Sequence, residues 1–528
     1  MTGSGTAPST WAPLRTTMFR TLWIAALASN VGTWMQTVGA QWLLVHDPHA
    51  ALLVALVQTA TALPAVLFAL VGGVLADVLE RARLILVVLA CMTVVAAALT
   101  ALTAAHRMSP ALLLTFTFLL GTGTILVLPA YQSLVPDLVP RPQVPAASAL
   151  NSISINLARA IGPAIAGLLV ARIGVAAVFA LNAAALLSYA VVVAFHPRLG
   201  GTRDSPERFL PALRAGQRYV RHSPVERRVL LRSGLFLIPA SSLWALLPLI
   251  ATRRLGLGSS GYGLLLTALG VGAIGGAFLL PQARARLSAN AMAGVGSVIY
   301  AAVLVGVVLS RDLALTVLLL LPAGAAWTTF LSNVNAALQL FLPMWVRARG
   351  LAVYQMVLFG AQAAGALLWG LAADTAGLVP AFLASAALLA AGAATIRFWP
   401  FYQTEHLDRS QVQWPEPQLM ISADQDRGPV LVRISYTVAP DKQQQFLQVM
   451  PDLRLSRERT GAIAWDLYQD GENPRSFVEL FTVPTWDEHL LQHRERQTGA
   501  DLEFHDAAAA LSDPPPRVDH YLAVGLRE

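Results

Sequence analysis

The sequence predicts an all-α membrane bundle of twelve transmembrane helices in two six-helix pseudo-symmetric halves, followed by a small C-terminal α+β domain. Three observations carry this. Twelve apolar segments each reach the length of about 20 residues that crosses a bilayer. A constant offset of 203 residues relates motifs in the first six segments to motifs in the second six. Past residue 398 the apolar runs stop, and short alternating strands and amphipathic helices replace them.

Composition bounds the class. The chain has 528 residues, 55% of them hydrophobic and only 13% charged, whereas a soluble domain carries about 25% charged residues. Charge is split along the chain. Residues 1–398 hold 25 arginines, no lysine and 9 acids, for a balance of +16; residues 399–528 hold 12 basic and 21 acidic residues, for −9. A basic membrane part and an acidic tail account for the balance, so no nucleic-acid partner is expected. The single cysteine, Cys91, excludes an intramolecular disulfide. The N-terminus lacks the pattern of a cleaved signal peptide, so the first apolar run is read as a retained helix.

The apolar segments fall near 21–45, 51–76, 84–105, 110–134, 147–171, 175–196, 229–252, 261–281, 289–310, 313–341, 350–373 and 378–398. The longest connection, 197–228, divides them six and six. This gives an N-terminal half (1–196), a connecting loop (197–228), a C-terminal half (229–398), a polar linker (399–427) and a tail domain (428–528). With the N-terminus cytoplasmic, the inner connections carry 17 arginines and the outer ones 5. The positive-inside rule selects that orientation, with both termini cytoplasmic in a plasma (inner) membrane.

The offset joins distant motifs. "VGGVLADVLERARL" (71–84) and "IGGAFLLPQARARL" (274–287) share Gly73/Gly276, Arg81/Arg284 and Arg83/Arg286. Gly121 maps to Gly324 and Pro140 to Pro343, and "GPAIAGLLVARIG" (162–174) maps onto "GALLWGLAADTAG" (365–377). Two parallel repeats are the arrangement of transporters that rock one half against the other around a midplane site. In the tail, "PVLVRISYTV", "GAIAWDLYQD", "SFVELFTVP" and "RVDHYLAV" read as strands. With "DKQQQFLQVMPDLRLSRER" and "TWDEHLLQHRERQ" as helices, the order is the β-α-β-β-α-β of a ferredoxin-like domain.

Arg159 is the most informative single residue. It lies near the middle of the fifth span, where an unpaired charge costs a few kcal/mol or more and marks a functional cavity. Its repeat mate is Gln362. Asn30, Trp34, Gln36, Tyr131, Gln132, Asn156, Asn333, Asn335 and Gln355 are further polar groups at similar depth and are candidate substrate contacts, with interhelical hydrogen bonding as the plainer role of each. No Asp, Glu or Lys falls in the middle of any span so drawn. A cationic cavity without a carboxylate favours an anionic or metal-chelating substrate. No Walker A pattern is present, which argues against ATP-driven pumping. No zinc-type Cys/His spacing and no nucleophile elbow appear, so no metal, cofactor or catalytic residue is expected.

The motifs "FRTLWIAALASNVGTWMQTVGAQWLL", "LVGGVLADVLERARLI", "ALNSISINLARAIGPAIAGLL" and "GYGLLLTALGVGAIGG" resemble the major facilitator superfamily, in the branch that includes the enterobactin exporter. The resemblance covers about residues 15–398 and implies the major facilitator fold and secondary active transport. It further implies a proton-motive-force-dependent exporter of a small amphipathic or anionic molecule, siderophore-like or drug, with protons as the coupling ion. An importer on the same fold, or a membrane-tethered enzyme working through its tail, are the alternatives. Gly73, Asp77 and Arg81 match the family's loop between helices 2 and 3 and, with Arg83, Gly276, Arg284 and Arg286, are implied to gate the transporter. Val78 and Glu80 depart from that pattern, and Leu280 stands at the repeat position of Asp77. Gly162 and Pro163 match a glycine-proline motif of exporters, and Gly-Pro bends a helix.

The tail, through "GAIAWDLYQD" and "TWDEHLLQHRER", resembles an antibiotic-biosynthesis-monooxygenase-like domain. It is read as a regulatory or homodimerising module and not as an enzyme. Trp465 and Trp486 are expected as core or interface aromatics. His489 and His493, four apart, have a metal-compatible spacing but are expected to be solvated.

Overall fold

The computed structural model describes residues 11–195, 209–402, 408, 410–417 and 428–524. The chain forms two compact units. The first comprises Met1–Pro206, Leu231–Val334 and Gln355–Pro400; the second comprises Glu207–Leu230, Asn335–Tyr354 and Phe401–Glu528.

In the first unit the N-terminal half runs through α1 (Thr17–Leu44), α2 (Ala50–Val78), α3 (Arg81–Ala104), α4 (Pro110–Leu138), α5 (Val144–Arg172) and α6 (Val175–Ala194). A further helix, α7 (Phe209–His222), stands in the segment expected as a connecting loop and belongs to the second unit. The C-terminal half follows as α8 (Pro224–Leu249), α9 (Ser259–Arg286), α10 (Ala289–Leu309), α11 (Leu313–Phe341), α12 (Met344–Ala376) and α13 (Leu378–Ala394). Among the described residues eleven helices are long and apolar enough to cross a bilayer. α1 is not among them: its 28 residues suffice for a crossing, but Ser29, Asn30, Thr33, Gln36, Thr37 and Gln41 dilute its apolar character.

Local chemistry explains why polar residues are tolerated in these helices. Thr93, Thr100 and Thr117 each donate their hydroxyl to the carbonyl four residues back, at 2.7, 2.8 and 2.8 Å, so they present no unsatisfied donor to lipid. Helix starts are capped. Ser109 accepts from the Leu112 amide ahead of Pro110, and Ser288 accepts from that of Ala291. The internal repeat is written into the backbone as well. Gly174 opens α6 at φ 103°, and its repeat mate Gly377 opens α13 at φ 94°, a region in essence reserved for glycine. Gly121 and Gly324 also play matching roles. A Cβ on Gly121 would lie 3.2 Å from the Thr61 carbonyl oxygen of α2, and one on Gly324 would collide with that of Leu269 on α9. Both glycines let two helices meet backbone to backbone.

The second unit contains α7, adjoining ends of α8, α11 and α12, and the tail. The tail carries β1 (Val430–Thr437), α14 (Gln443–Thr460), β2 (Ala464–Gln469), β3 (Ser476–Val483), α15 (Trp486–Leu491, continued by a π turn Gln492–Arg496), α16 (Gly499–Ala509) and β4 (Arg517–Leu522). All pairings are antiparallel, in the order β2-β3-β1-β4. The strands and helices follow the β-α-β-β-α-β order read from sequence. The second helical stretch, however, breaks after Arg496 and restarts at a capping box in which Thr498 and Asp501 satisfy each other's backbone amides. β1 alternates buried and less buried residues, and Val430, Val432, Ile434 and Tyr436 meet Phe446, Met450 and Phe481 in one core. Glu479 is fully buried in this sheet but not stranded. It accepts from Arg457 Nε at 3.1 Å, Trp465 Nε1 at 2.9 Å and the Tyr436 hydroxyl at 2.8 Å. The connecting helix joins this unit through Arg218, whose Nη2 donates to Glu488 Oε2 at 2.6 Å, and through Tyr219, whose ring lies edge-on to Trp345 at 5.7 Å.

Candidate functional site

The two halves of the first unit meet along α5 and α9, closely at three glycines. A Cβ on Gly263 would lie 2.6 Å from the Pro163 carbonyl oxygen; one on Gly167 would lie 2.6 Å from that of Ser259; one on Gly270 would lie 3.0 Å from Ala160 Cα. The seam therefore exists because these positions are glycine. Around it, Ser259 Oγ donates to the Gly167 carbonyl at 3.1 Å, and the Tyr262 hydroxyl donates to Gln41 Oε1 at 2.5 Å. α2 meets α12 where a Cβ on Gly370 would collide with Ala55 Cβ, and His49 pairs with Asp374 at 3.1 Å. These contacts gather at the end of the bundle that carries the α1–α2 and α5–α6 turns.

Below the seam sits Arg159, one turn before Gly162. Gly162 has no side chain to hold Trp34 away, so a Cβ there would lie 2.7 Å from Trp34 Cβ. Trp34 is thus brought under the Arg159 guanidinium, 5.7 Å from ring centroid to Cζ, a cation–π distance. The aromatic chain continues into the other half: Trp34 to Trp244 at 6.1 Å and Trp244 to Trp327 at 5.5 Å. Arg159 Nε and Trp244 Nε1 are buried donors that have no hydrogen-bond partner among the described residues. Two unmade donors beside three tryptophans form a place where an anionic, aromatic-compatible group can bind.

A cavity of about 80 Å³ lies within the N-terminal half, among α1, α3, α4, α5 and α6. Asn30 and Tyr131 line it, together with Ser29, Thr33, Asn151 and Tyr189, whose polarity in sequence is not distinctive. Asn30 Nδ2 donates to Ser154 Oγ at 3.1 Å. Drug-sized ligands occupy about 300–1,000 Å³, so in this state the cavity holds a fragment at most.

The remaining sequence candidates divide by role. Gln36 is buried and accepts from Asn182 Nδ2 at 2.8 Å, an α1–α6 tie. Gln132, Asn156 and Gln355 are exposed, and Asn156 is spent on the Ser152 carbonyl at 2.9 Å. Gln362 is half-buried and reaches its own helix at the Leu358 carbonyl, 3.4 Å away, so no hydrogen bond joins it to Arg159 among the described residues. Asn333 is half-buried; Asn335 accepts from Gln339 Nε2 at 2.8 Å, within the second unit.

Of the gating candidates, Pro163 and Gly162 sit in the contacts just described. Arg81 Nη1 donates to the Ser133 carbonyl at 3.1 Å and to Asp137 Oδ2 at 3.0 Å, tying the start of α3 to the end of α4. Its mate Arg284 reaches the Ser332 carbonyl at 3.2 Å. Arg83 and Arg286 are exposed. Gly276 packs against Ala325, but a Cβ on Gly73 would meet nothing within 4 Å; Gly72 makes the close approach, 3.1 Å from the Ile125 carbonyl oxygen. The side chain of Asp77 lies outside the described residues.

In the tail, Trp486 is buried in the core, and Trp465 is spent on Glu479. The expectation of solvated histidines is corrected: His489 is 2% exposed, and His493 is half-buried. Burial pushes His489 down to about 3 and His493 down to about 4, so both imidazoles are neutral at neutral pH.

A bundle of two repeat-related helical halves, closed on each other at one end over a polar interior, defines a membrane transporter. Residues 8–527 match the family model of the transmembrane secretion effectors, MFS_3, and the chain belongs to that family of major facilitator transporters. It is 23% identical to the staphyloferrin A transporter of Staphylococcus aureus (strain NCTC 8325 / PS 47) over 67% of this chain and 88% of that protein. It is 25% identical to the uncharacterized MFS-type transporter YfiS of Bacillus subtilis (strain 168), over 39% of this chain and 49% of that one. Among solved structures, an inward-facing, unoccupied bacterial homolog of the human lysosomal transporter Spinster aligns with a TM-score of 0.59 at 17% identity, covering 72% of this chain and 96% of that one. A peptide transporter of the POT type aligns at 0.60 and 15%, covering 74% and 96%. At these identities the structural likeness speaks for the fold.

Proposed function

We propose that this secondary transporter exports a small amphipathic or anionic molecule from the cell by alternating access, driven by the proton motive force, and that Arg159 receives the anionic group. The observation that carries this reading is Arg159 itself: a charged side chain in mid-helix, laid on Trp34, with a buried Nε that has no partner among the described residues. A charge at that depth is costly unless something pairs it, and a substrate anion is a fitting partner. Asn30 and Tyr131 line the cavity of the N-terminal half. Trp34 and Trp244 take the apolar body of the substrate. The relative named for staphyloferrin A fits the siderophore arm of this reading.

In this reading α1 is the twelfth span. Its polar residues face the interior or neighbouring helices, as Gln36 and Asn30 do. Both termini are cytoplasmic, following the arginine distribution. The contacts of the α5–α9 seam then close the outer side, and the state is inward-facing, in keeping with the inward-facing Spinster homolog. Arg81 and Asp137 lie on the cytoplasmic side, where they brace the N-terminal half. The tail is a regulatory or dimerising module related to the monooxygenase-like domains of the enterobactin-exporter branch.

The test is efflux from cells stripped of their own exporters. They express wild type or Arg159→Ala at matched membrane levels and are loaded with labelled catecholates, lipophilic cations and neutral drugs. The expected result is protonophore-sensitive efflux of the anionic compounds by wild type alone. Equal efflux of anions by both proteins removes Arg159 from the path, and uptake in place of efflux reverses the direction.

A further inference from the structure

The tail holds a cluster that the transport reading does not use. One ring nitrogen from each of His489, His493 and His520 lies within 4.8 Å of the others. His489 stands on α15 and His493 on the π turn that continues it, their ring centroids 4.9 Å apart. His520 comes from β4, in register with the core residue Val432, and its ring centroid is 5.0 Å from that of His489. Helix and strand thus bring three imidazoles to one point at the sheet edge.

The hydrogen bonds around the cluster set the tautomers. His489 Nδ1 faces Gln492 Oε1 at 3.0 Å, and the Gln492 amide nitrogen donates in turn to Thr460 Oγ1 at 3.2 Å, which fixes the oxygen toward the ring. His493 Nδ1 faces the Pro415 carbonyl at 2.9 Å. An acceptor at Nδ1 places the proton there and leaves Nε2 as a lone pair. His489 Nε2 and His520 Nε2 are buried and have no hydrogen-bond partner among the described residues. In His489 and His493 the nitrogen opposite Nε2 is held by a carbonyl oxygen, the outer arrangement that orients metal-ligating histidines.

We propose that His489, His493 and His520 form a three-histidine site for a first-row divalent metal ion, with one coordination position left open. Three imidazoles without carboxylate or thiolate suit zinc, copper, iron or nickel, and not magnesium or calcium. Tetrahedral zinc at about 2.0–2.1 Å from nitrogen draws its ligands to roughly 3.3 Å from one another, so the rings close inward on the ion. Gln492 and the Pro415 carbonyl are positioning groups: they hold the rings and do not touch the metal. Pro415 lies in the chain between the last membrane helix and β1, so a bound ion also ties that segment to the tail. The site shares no residue with the Arg159 surroundings, and the proposal stands independently of the transport direction.

The experiment uses full-length protein in detergent, purified through a tag without histidines, stripped with a chelator and then equilibrated with Zn(II) or Co(II). Wild type is expected to retain one ion per chain, and the cobalt form to show the intense visible bands of a four-coordinate site. His493→Gln and His520→Phe, each checked for an unchanged elution profile and protease pattern, are expected to lose the ion. Gln492→Ala is expected to weaken binding about 10-fold or more while keeping the cobalt bands. The proposal is overturned if wild type retains no ion at micromolar metal, or if the ion survives in both histidine variants. The wild-type measurement decides the matter even where a variant fails to fold.

Discussion

Arg159 and Arg232 are both arginines inside membrane helices, one in each half, and their surroundings differ completely. Arg232, 3% exposed on α8, clamps the end of α13. Its guanidinium donates to the Gly392 carbonyl at 2.9 Å, to Thr395 Oγ1 at 3.0 Å, to the Thr395 carbonyl at 2.6 Å and, through two nitrogens, to the Trp399 carbonyl. Arg159 has a tryptophan face and a buried Nε that none of the described residues accepts from. The first arginine completes a helix end, since the last carbonyls of a helix need donors. The second has capacity to spare. The difference teaches that an intramembrane charge marks function only when the protein leaves it unsatisfied.

The comparison is open to test, the largest effect first. Arg232→Met strands several buried carbonyls at once and is expected to cost about 3 kcal/mol or more, read as a lower melting temperature in detergent and a smaller membrane yield. A melting temperature equal to wild type erases the contrast. Arg159→Gln is expected to leave the melting temperature unchanged or raised, while transport of anionic substrates falls at least about 10-fold, the size of one charge-assisted bond. A drop in stability matching that of Arg232→Met makes Arg159 structural instead. Trp34→Phe keeps an aromatic face but weakens the cation–π contact, worth about 0.5–1 kcal/mol; KM for an anionic substrate is expected to rise a few-fold with kcat little changed.

A third buried charge, in the tail, sharpens the contrast from the paired side and has the smallest effect. Burial by itself raises the Asp501 carboxyl. The Arg459 charge at 2.5 Å, with hydrogen bonds from Ser456 and Thr498, outweighs burial and holds it below the ordinary carboxylate range. Its folded value is depressed, so its stabilisation is complete above the unfolded value of about 3.9 and is lost as pH falls through the folded one. Hydrogen exchange of α16 in the full chain is expected to quicken over that acid range. Asp501→Asn removes this step and leaves the exchange flat there.

Much of this was legible in the sequence because it is periodic. The spans show as unbroken apolar length recurring along the chain, and the 203-residue offset needs only glycines that recur. Gly174 and Gly377 do recur, with matching backbone angles. The sites were less legible because polarity in a helix has two uses. Thr33 lines the cavity yet bonds the Ser29 carbonyl at 3.0 Å, and in sequence it looks like any self-satisfied threonine. Gln132 looks like Asn30 or Tyr131 in sequence but is not among the residues that line the cavity. Gly72, and not its neighbour Gly73, makes the close approach, because a shift of one residue turns a helix by about 100°. His489 and His493 were visible at helical spacing; His520 was not, because a strand brings it from elsewhere in the chain. The helix in the connecting segment was masked by its polar residues, which read as a loop when span length is the criterion.

The seam between α5 and α9 carries one last implication. Most helix pairs mesh like gears, with ridges of side chains seated in grooves, and parting them means unmeshing every tooth. Ala160, Pro163 and Gly167 against Gly270, Gly263 and Ser259 present almost bare backbone to each other. Such a joint works like a zip without teeth: it closes only while nothing protrudes, so a single methyl added at Gly167, Gly263 or Gly270 holds the two backbones apart.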